Sequence, residues 1–154
     1  DQEKGIEGGV WKTTLKEIQD KPLFGWGPEN FYIGFEKYYD PIPFGTPILL
    51  WDRPHNIFLD IAVSSGILSL LLYICFWGVL FWKLQMVKNS QKKGDYYSDN
   101  TVKIHDVQTM FIGYLIVLFF NFDNFSTYLI SFFFIGYSFY LISLQEEKII
   151  TFKY

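Results

Sequence analysis

From Ile61 to Trp82 the chain carries no charged residue. As a helix this run is about 33 Å long, matching a hydrocarbon core about 30 Å thick. A soluble core helix of that length keeps a polar face; this one has none. The run, opening at Ile57 with Asp60 as its one charge, is therefore expected to cross a membrane. Two further apolar runs follow, 107–122 and 125–144, joined by the polar turn "NFDN", and are expected to form a helical hairpin. The polar stretch 83–106 holds Lys83, Lys88, Lys92, Lys93 and Lys103, so it is expected on the cytoplasmic side, with the tail 145–154. Residues 1–56 and the turn then face outward. Arg53, His55 and Asp123 are expected to share that membrane surface.

The expected fold is all-α: short amphipathic loop helices in residues 1–56, then three transmembrane helices over 57–144. Aromatic residues make up 21% of the chain, which fits interfacial belts or a surface that stacks on flat ligands. A net charge of −3 argues against a nucleic-acid partner, which calls for a basic patch. Cys75 is alone inside an apolar run and suggests neither a disulfide nor a metal site. The chain opens at Asp1 without Met or a signal-like segment. It is expected to be a piece of a longer polytopic protein, inactive without its remaining membrane helices.

Within residues 1–56, the stretch 9–21 places Trp11, Leu15 and Ile18 on one helical face and stops at Pro22. Gly25, Gly27 and Pro28 mark a turn, with Pro28 placed to open a second helix. In that helix Phe31, Phe35, Tyr38 and Tyr39 recur at helical spacing. Three prolines in "DPIPFGTP" make that stretch irregular.

The stretch "WDRPHNIFLD", residues 51–60, holds the chain's only arginine and one of its two histidines. Pro54 suits a first helical turn, which puts His55 at a helix start among free backbone N–H groups. Such an end attracts phosphates. Arg53 adds a planar fork that fits two phosphate oxygens. A neutral imidazole accepts a proton from a hydroxyl nucleophile. Together they suit a transferase. Gly66 lies eleven residues after His55, close to three turns, and with Ala62 and Ser69 makes a small-residue stripe for close helix packing.

Plainer alternatives stand beside each of these. His-Asn at a helix start also serves capping, and a lone Arg at a membrane surface also serves as a snorkelling anchor. Tyr38 and Tyr39 suit either sugar stacking or an interfacial belt. Asp123 suits either a site or a plain turn.

The blocks "KPLFGWGPENF", "FEKYYDP" and "DRPHNIFLDIAVSSGIL" resemble the O-antigen ligase family of bacterial polytopic membrane proteins. The family signature is His, then Asn, Ser or Gln, nine residues, then Gly; His55, Asn56 and Gly66 satisfy it. "FNFDNFSTYLISFF" is similar to the closing hairpin of some members. The resemblance implies a multi-pass inner-membrane glycosyltransferase of lipopolysaccharide or surface polysaccharide biosynthesis. Its donor is a glycan on undecaprenyl diphosphate, and its acceptor is a sugar or protein hydroxyl. It implies no cofactor or metal, an inverting reaction, His55 as general base and Arg53 on the diphosphate. Asp52, Asn56, Tyr38, Tyr39 and Asp123 are the expected substrate contacts; Gly66, Ala62, Ser69, Gly25, Gly27 and Pro28 are the expected structural residues. Where the family often has Arg four residues before the loop's Trp, this chain has Glu7. Lys12 and Lys37 are the candidates for the missing charge. The rival class is a non-catalytic membrane subunit that binds glycan or serves as a scaffold.

Overall fold

The computed structural model describes residues 2–38, 51–91 and 99–151. All regular structure among them is helical: α1 (Gln2–Asp20), α2 (Phe31–Tyr38), α3 (Ile57–Ser65), α4 (Ile67–Gln91), α5 (Asp99–Phe119) and α6 (Phe125–Thr151). Stretches Ile67–Asn89, Thr101–Phe119 and Phe125–Leu144 are long and apolar enough to cross a membrane. The chain is an all-α, multi-pass membrane protein. It divides into two compact units, Asp1–Ile74 with Leu118–Phe122, and Cys75–Val117 with Asp123–Tyr154.

In the first unit, α1 packs against both α2 and α3. Val10, Ile18, Phe31, Phe35, Ala62 and Val63 form its core, with Trp11, Trp26, Trp51, Leu59 and Leu70 around them. Apolar spacing put Trp11, Leu15 and Ile18 on the inner face of α1, but Leu15 is half exposed. The buried face runs through Val10, Thr13, Thr14, Glu17 and Ile18. It is rotated because two threonines and a glutamate share it, and Thr14 is internally satisfied by donating to the Val10 carbonyl (2.9 Å).

The apolar run opening at Ile57 is two helices. Gly66 caps α3 at φ 88°, a left-handed value that L side chains rarely adopt. A side chain there would collide with the backbone of Leu23. The loop 22–27 is stitched into this break. The N–H groups of Trp26 and Gly27 donate to the carbonyls of Val63 (2.8 Å) and Ser64 (2.9 Å), and that of Ile67 donates to Pro22 (2.8 Å). Helix termini leave such groups orphaned; here a loop some forty residues away in sequence satisfies them. Gly25, at φ 67°, is needed for the same approach, because a Cβ would lie 2.5 Å from the Val63 carbonyl oxygen. The single stripe of Ala62, Gly66 and Ser69 is therefore corrected: Ala62 is core, Gly66 is the break, and Ser69 lies in α4, donating to the Ser65 carbonyl.

Pro28 does not open α2. It precedes Glu29, held at φ 62°, and α2 starts at Phe31. The stretch read as the loop 83–106 is partly helical, since α4 runs on to Gln91 and α5 starts at Asp99. Leu84, Val87 and Ile104 are buried in those extensions.

In the second unit, Trp77 of α4 meets Phe111 (5.0 Å, edge-on) and Tyr114 of α5 (5.9 Å). α6 buries Ser131, Ser138 and Leu141 and exposes Phe132, Phe133 and Tyr140. Exposed apolar side chains with a fully helical backbone are what a lipid solvent requires.

The α1–α2 contact holds an unusual group. Glu17 is fully buried and both its carboxylate oxygens lack a hydrogen-bond partner. Gly34 of α2 sits against it; a Cβ there would be 2.5 Å from Glu17 Oε2 and 2.9 Å from Trp26. Burial pushes the Glu17 carboxyl up to about 8, so it is neutral at physiological pH. Between its ordinary value and about 8 the folded state keeps a proton that the unfolded state has released. Stability then falls as pH rises through that window, by on the order of a few kcal/mol, and levels off above it. Glu17→Gln is expected to flatten this pH dependence and raise the melting temperature at pH 8, read by thermal unfolding of the full-length protein in detergent. An unchanged pH profile in the variant would show that Glu17 is not the titrating group.

Candidate active site

Residues 51–56 are framed from both sides. Upstream, Pro54 is fully buried and its carbonyl accepts the indole N–H of Trp11 (2.9 Å). Downstream, Asn56 is the N-cap of α3. Its Oδ1 accepts from the N–H groups of Phe58 (3.0 Å) and Leu59 (3.1 Å), and its Nδ2 donates to the Phe119 carbonyl at the end of α5 (2.9 Å).

His55 sits between these two clamps, before the helix rather than in its first turn. Its φ is 49°, a left-handed value uncommon for a non-glycine residue. Such strain persists only where the surroundings over-determine it. The half-buried ring lies edge-on to Trp51 (5.3 Å) and tilted on Phe122 (5.4 Å). Among the described residues, no hydrogen bond reaches its imidazole.

Arg53 is half buried. Its Nη2 donates to Glu29 Oε1 (2.6 Å), its Nη1 to Asp60 Oδ2 (3.3 Å), and its guanidinium carbon lies 5.3 Å from the Phe122 ring centroid. The two acids differ: the Glu29 side chain is 79% exposed and that of Asp60 only 16%. Burial raises the Asp60 carboxyl from its ordinary value, against the pull of Arg53. Neither acid was singled out as an Arg53 partner from sequence. The available signals were the lone charge of Asp60 in an apolar run and the place of Glu29 in the "GWGPEN" block.

Three expectations change. The helix start is not an open anion site, because Asn56 already occupies the N–H groups of Phe58 and Leu59. Asn56, expected as a substrate contact, acts in the fold as a clamp, with both ends of its amide bonded to the protein. Lys37 does not serve Arg53: it pairs with Asp20 (2.8 Å). That pair, with the Tyr38 hydroxyl, lowers the Asp20 carboxyl and raises the Lys37 amine. Tyr38 lies at this α1–α2 edge, its ring 4.9 Å from the Lys37 ammonium. Lys12 is exposed on α1, and Asp52 is exposed beside Arg53 in sequence. Tyr39 lies outside the described residues. Asp123, in the second unit, is buried and accepts the Tyr114 hydroxyl on both oxygens (2.8 and 2.7 Å), bracing the turn before α6. Among the described residues, no three His, Cys, Asp or Glu side chains converge in a way that would hold a metal ion.

If Asn56 is the clamp, its two halves separate by substitution. Asn56→Ala is expected to lower the melting temperature of the full-length protein more than Asn56→Asp. Alanine loses the cap, worth about 1 kcal/mol, along with the bond to Phe119; aspartate keeps the cap. Equal melting of both variants would contradict the capping role.

No curated protein and no solved structure matches the chain. The family described as O-Antigen ligase matches residues 9–74. That segment contains the later part of α1, all of α2 and α3, the GWGP loop, Arg53 and the His55–Gly66 spacing. Over residues 9–74, which hold Arg53, His55 and Asn56, the chain is similar to the O-antigen ligase family.

Proposed function

We propose that the protein acts in a membrane glycosyltransferase that moves a glycan from undecaprenyl diphosphate to an acceptor hydroxyl at the extracytoplasmic face of a bacterial inner membrane. One observation carries this reading. His55 is held at a strained left-handed backbone between two clamps, while its imidazole makes no hydrogen bond among the described residues. A capping or packing histidine needs neither the strain nor the uncommitted ring.

In this reading the imidazole takes the proton of the acceptor hydroxyl as its oxygen forms a bond to the anomeric carbon. The bond from that carbon to the diphosphate oxygen breaks, and the departing charge is met by Arg53. Trp51 and Phe122 wall the ring and fix its plane. Attack opposite the leaving group inverts the anomeric centre. The lysine-rich stretch 83–106 lies in the cytoplasm in this arrangement. Asp52 remains available to substrate, whereas Tyr38 is spent on the α1–α2 edge. The acceptor, whether core sugar, growing chain or protein side chain, is set by parts of the site other than this pair.

In the full-length protein, His55→Ala is expected to abolish glycan transfer while leaving membrane insertion intact. Normal transfer by that variant would end the base assignment and favour a glycan-binding or scaffolding subunit. Arg53→Lys is expected to cut transfer by at least tenfold, because an ammonium cannot reproduce the two-pronged contact. Wild-type turnover and donor KM in that variant would remove Arg53 from the diphosphate.

A further inference from the structure

The ion-pair arrangement at Arg53 is unbalanced. One guanidinium faces two carboxylates, and Asp52 adds a third negative charge that acts on Asp60. An arginine kept for a phosphate should lie open, yet this one is already engaged on both sides. The two partners are not equivalent. Asp60 is largely buried, is carried on α3 itself, and bonds from a helix whose start is capped by Asn56. Glu29 is exposed and stands on a turn, at a left-handed φ of 62°. That turn is fixed to the end of α3 by the Trp26 and Gly27 bonds, so Glu29 is presented to Arg53 by the backbone and does not wander onto it.

We propose that Glu29 is a displaceable internal anion. It occupies one edge of the Arg53 guanidinium when no donor is bound and gives up that edge to a donor phosphate, while Asp60 keeps hold of the other. Asp60 is thus a positioning residue that aims the guanidinium, and Glu29 sets the affinity of the phosphate seat. This rests on the assignment of Arg53 to the diphosphate. Exchange of one anion for another is cheap here, because an exposed ion pair contributes little. A seat closed by a weak internal anion also discriminates. A monoanion gains little over Glu29, whereas a diphosphate outcompetes it by charge and by its two-pronged fit.

The test uses full-length protein in detergent at low salt, titrated with inorganic diphosphate by calorimetry. Glu29→Gln is expected to bind diphosphate about two- to fivefold more tightly than wild type, the scale of an exposed ion pair. It should also lower the KM for lipid-linked donor by a similar factor. The gain must vanish in an Arg53→Ala background, since the effect runs through Arg53. Glu36→Gln, which removes the same charge from an exposed position on α2, is expected not to tighten binding. Unchanged or weaker binding in Glu29→Gln would overturn the displaceable-anion role while Arg53 stayed on the diphosphate. So would an equal gain in Glu36→Gln or in the Arg53→Ala background. Undiminished diphosphate binding by Arg53→Ala alone would instead remove the diphosphate assignment, and this proposal with it.

Discussion

Two backbone hydrogen bonds organise the first unit: Trp26 N–H to the Val63 carbonyl and Gly27 N–H to the Ser64 carbonyl. They end α3, and in doing so they decide that the apolar run is a nine-residue helix followed by a membrane-length one. They also fix the loop that carries Glu29 against the helix that carries Asp60. The close approach is steric as much as electrostatic. Gly25 and Gly66 both occupy left-handed backbone where a side chain would run into the opposing chain. Gly66 thus terminates α3, the helix that follows His55, and receives the GWG loop, which is a stronger requirement than helix packing alone.

The second residue of the signature has a physical meaning of the same kind. Asn56 ties the backbone immediately after His55 to the first turn of α3 and to the end of α5. A side chain with an acceptor for the helix N–H groups is what an N-cap demands. Trp11 does the corresponding work at Pro54. Neither bond touches His55, yet between them they leave its φ little freedom. The strained conformation is set by its neighbours, so the histidine itself is free to be chosen for chemistry.

What the sequence made legible was what depends on local pattern. The absence of charge over 61–82, the length of the apolar runs and the glycine turn were enough for an all-α membrane protein with short amphipathic helices before its spans. What escaped depends on contacts between distant segments. The break at Gly66 is invisible to hydropathy because the residues on both sides are apolar; its cause lies at residues 22–27. The buried face of α1 was missed because Thr14 and Glu17 read as polar. Thr14 is satisfied by its own helix, and Glu17 is buried as a neutral acid against the bare backbone of Gly34. Arg53 was legible as a rare charged residue, but its partners come from twenty-four residues upstream and seven downstream, and only the folded chain brings them to it.

The electrostatics at Arg53 bear on how such a site keeps specificity beside a lipid surface. Anionic headgroups are abundant there and carry the same phosphate chemistry as a diphosphate donor. An arginine left open would be occupied by them. An arginine already paired on one side with a buried acid and on the other with an exposed one presents no net positive charge to a passing anion. In the proposed exchange a monoanionic headgroup then gains little, and the higher charge and two-pronged fit of a diphosphate decide: the incoming group replaces Glu29 at one edge of a guanidinium whose other edge is held by Asp60. The acid excess around the chain's one arginine is therefore compatible with an anionic donor, as the means by which the wrong anions are kept out.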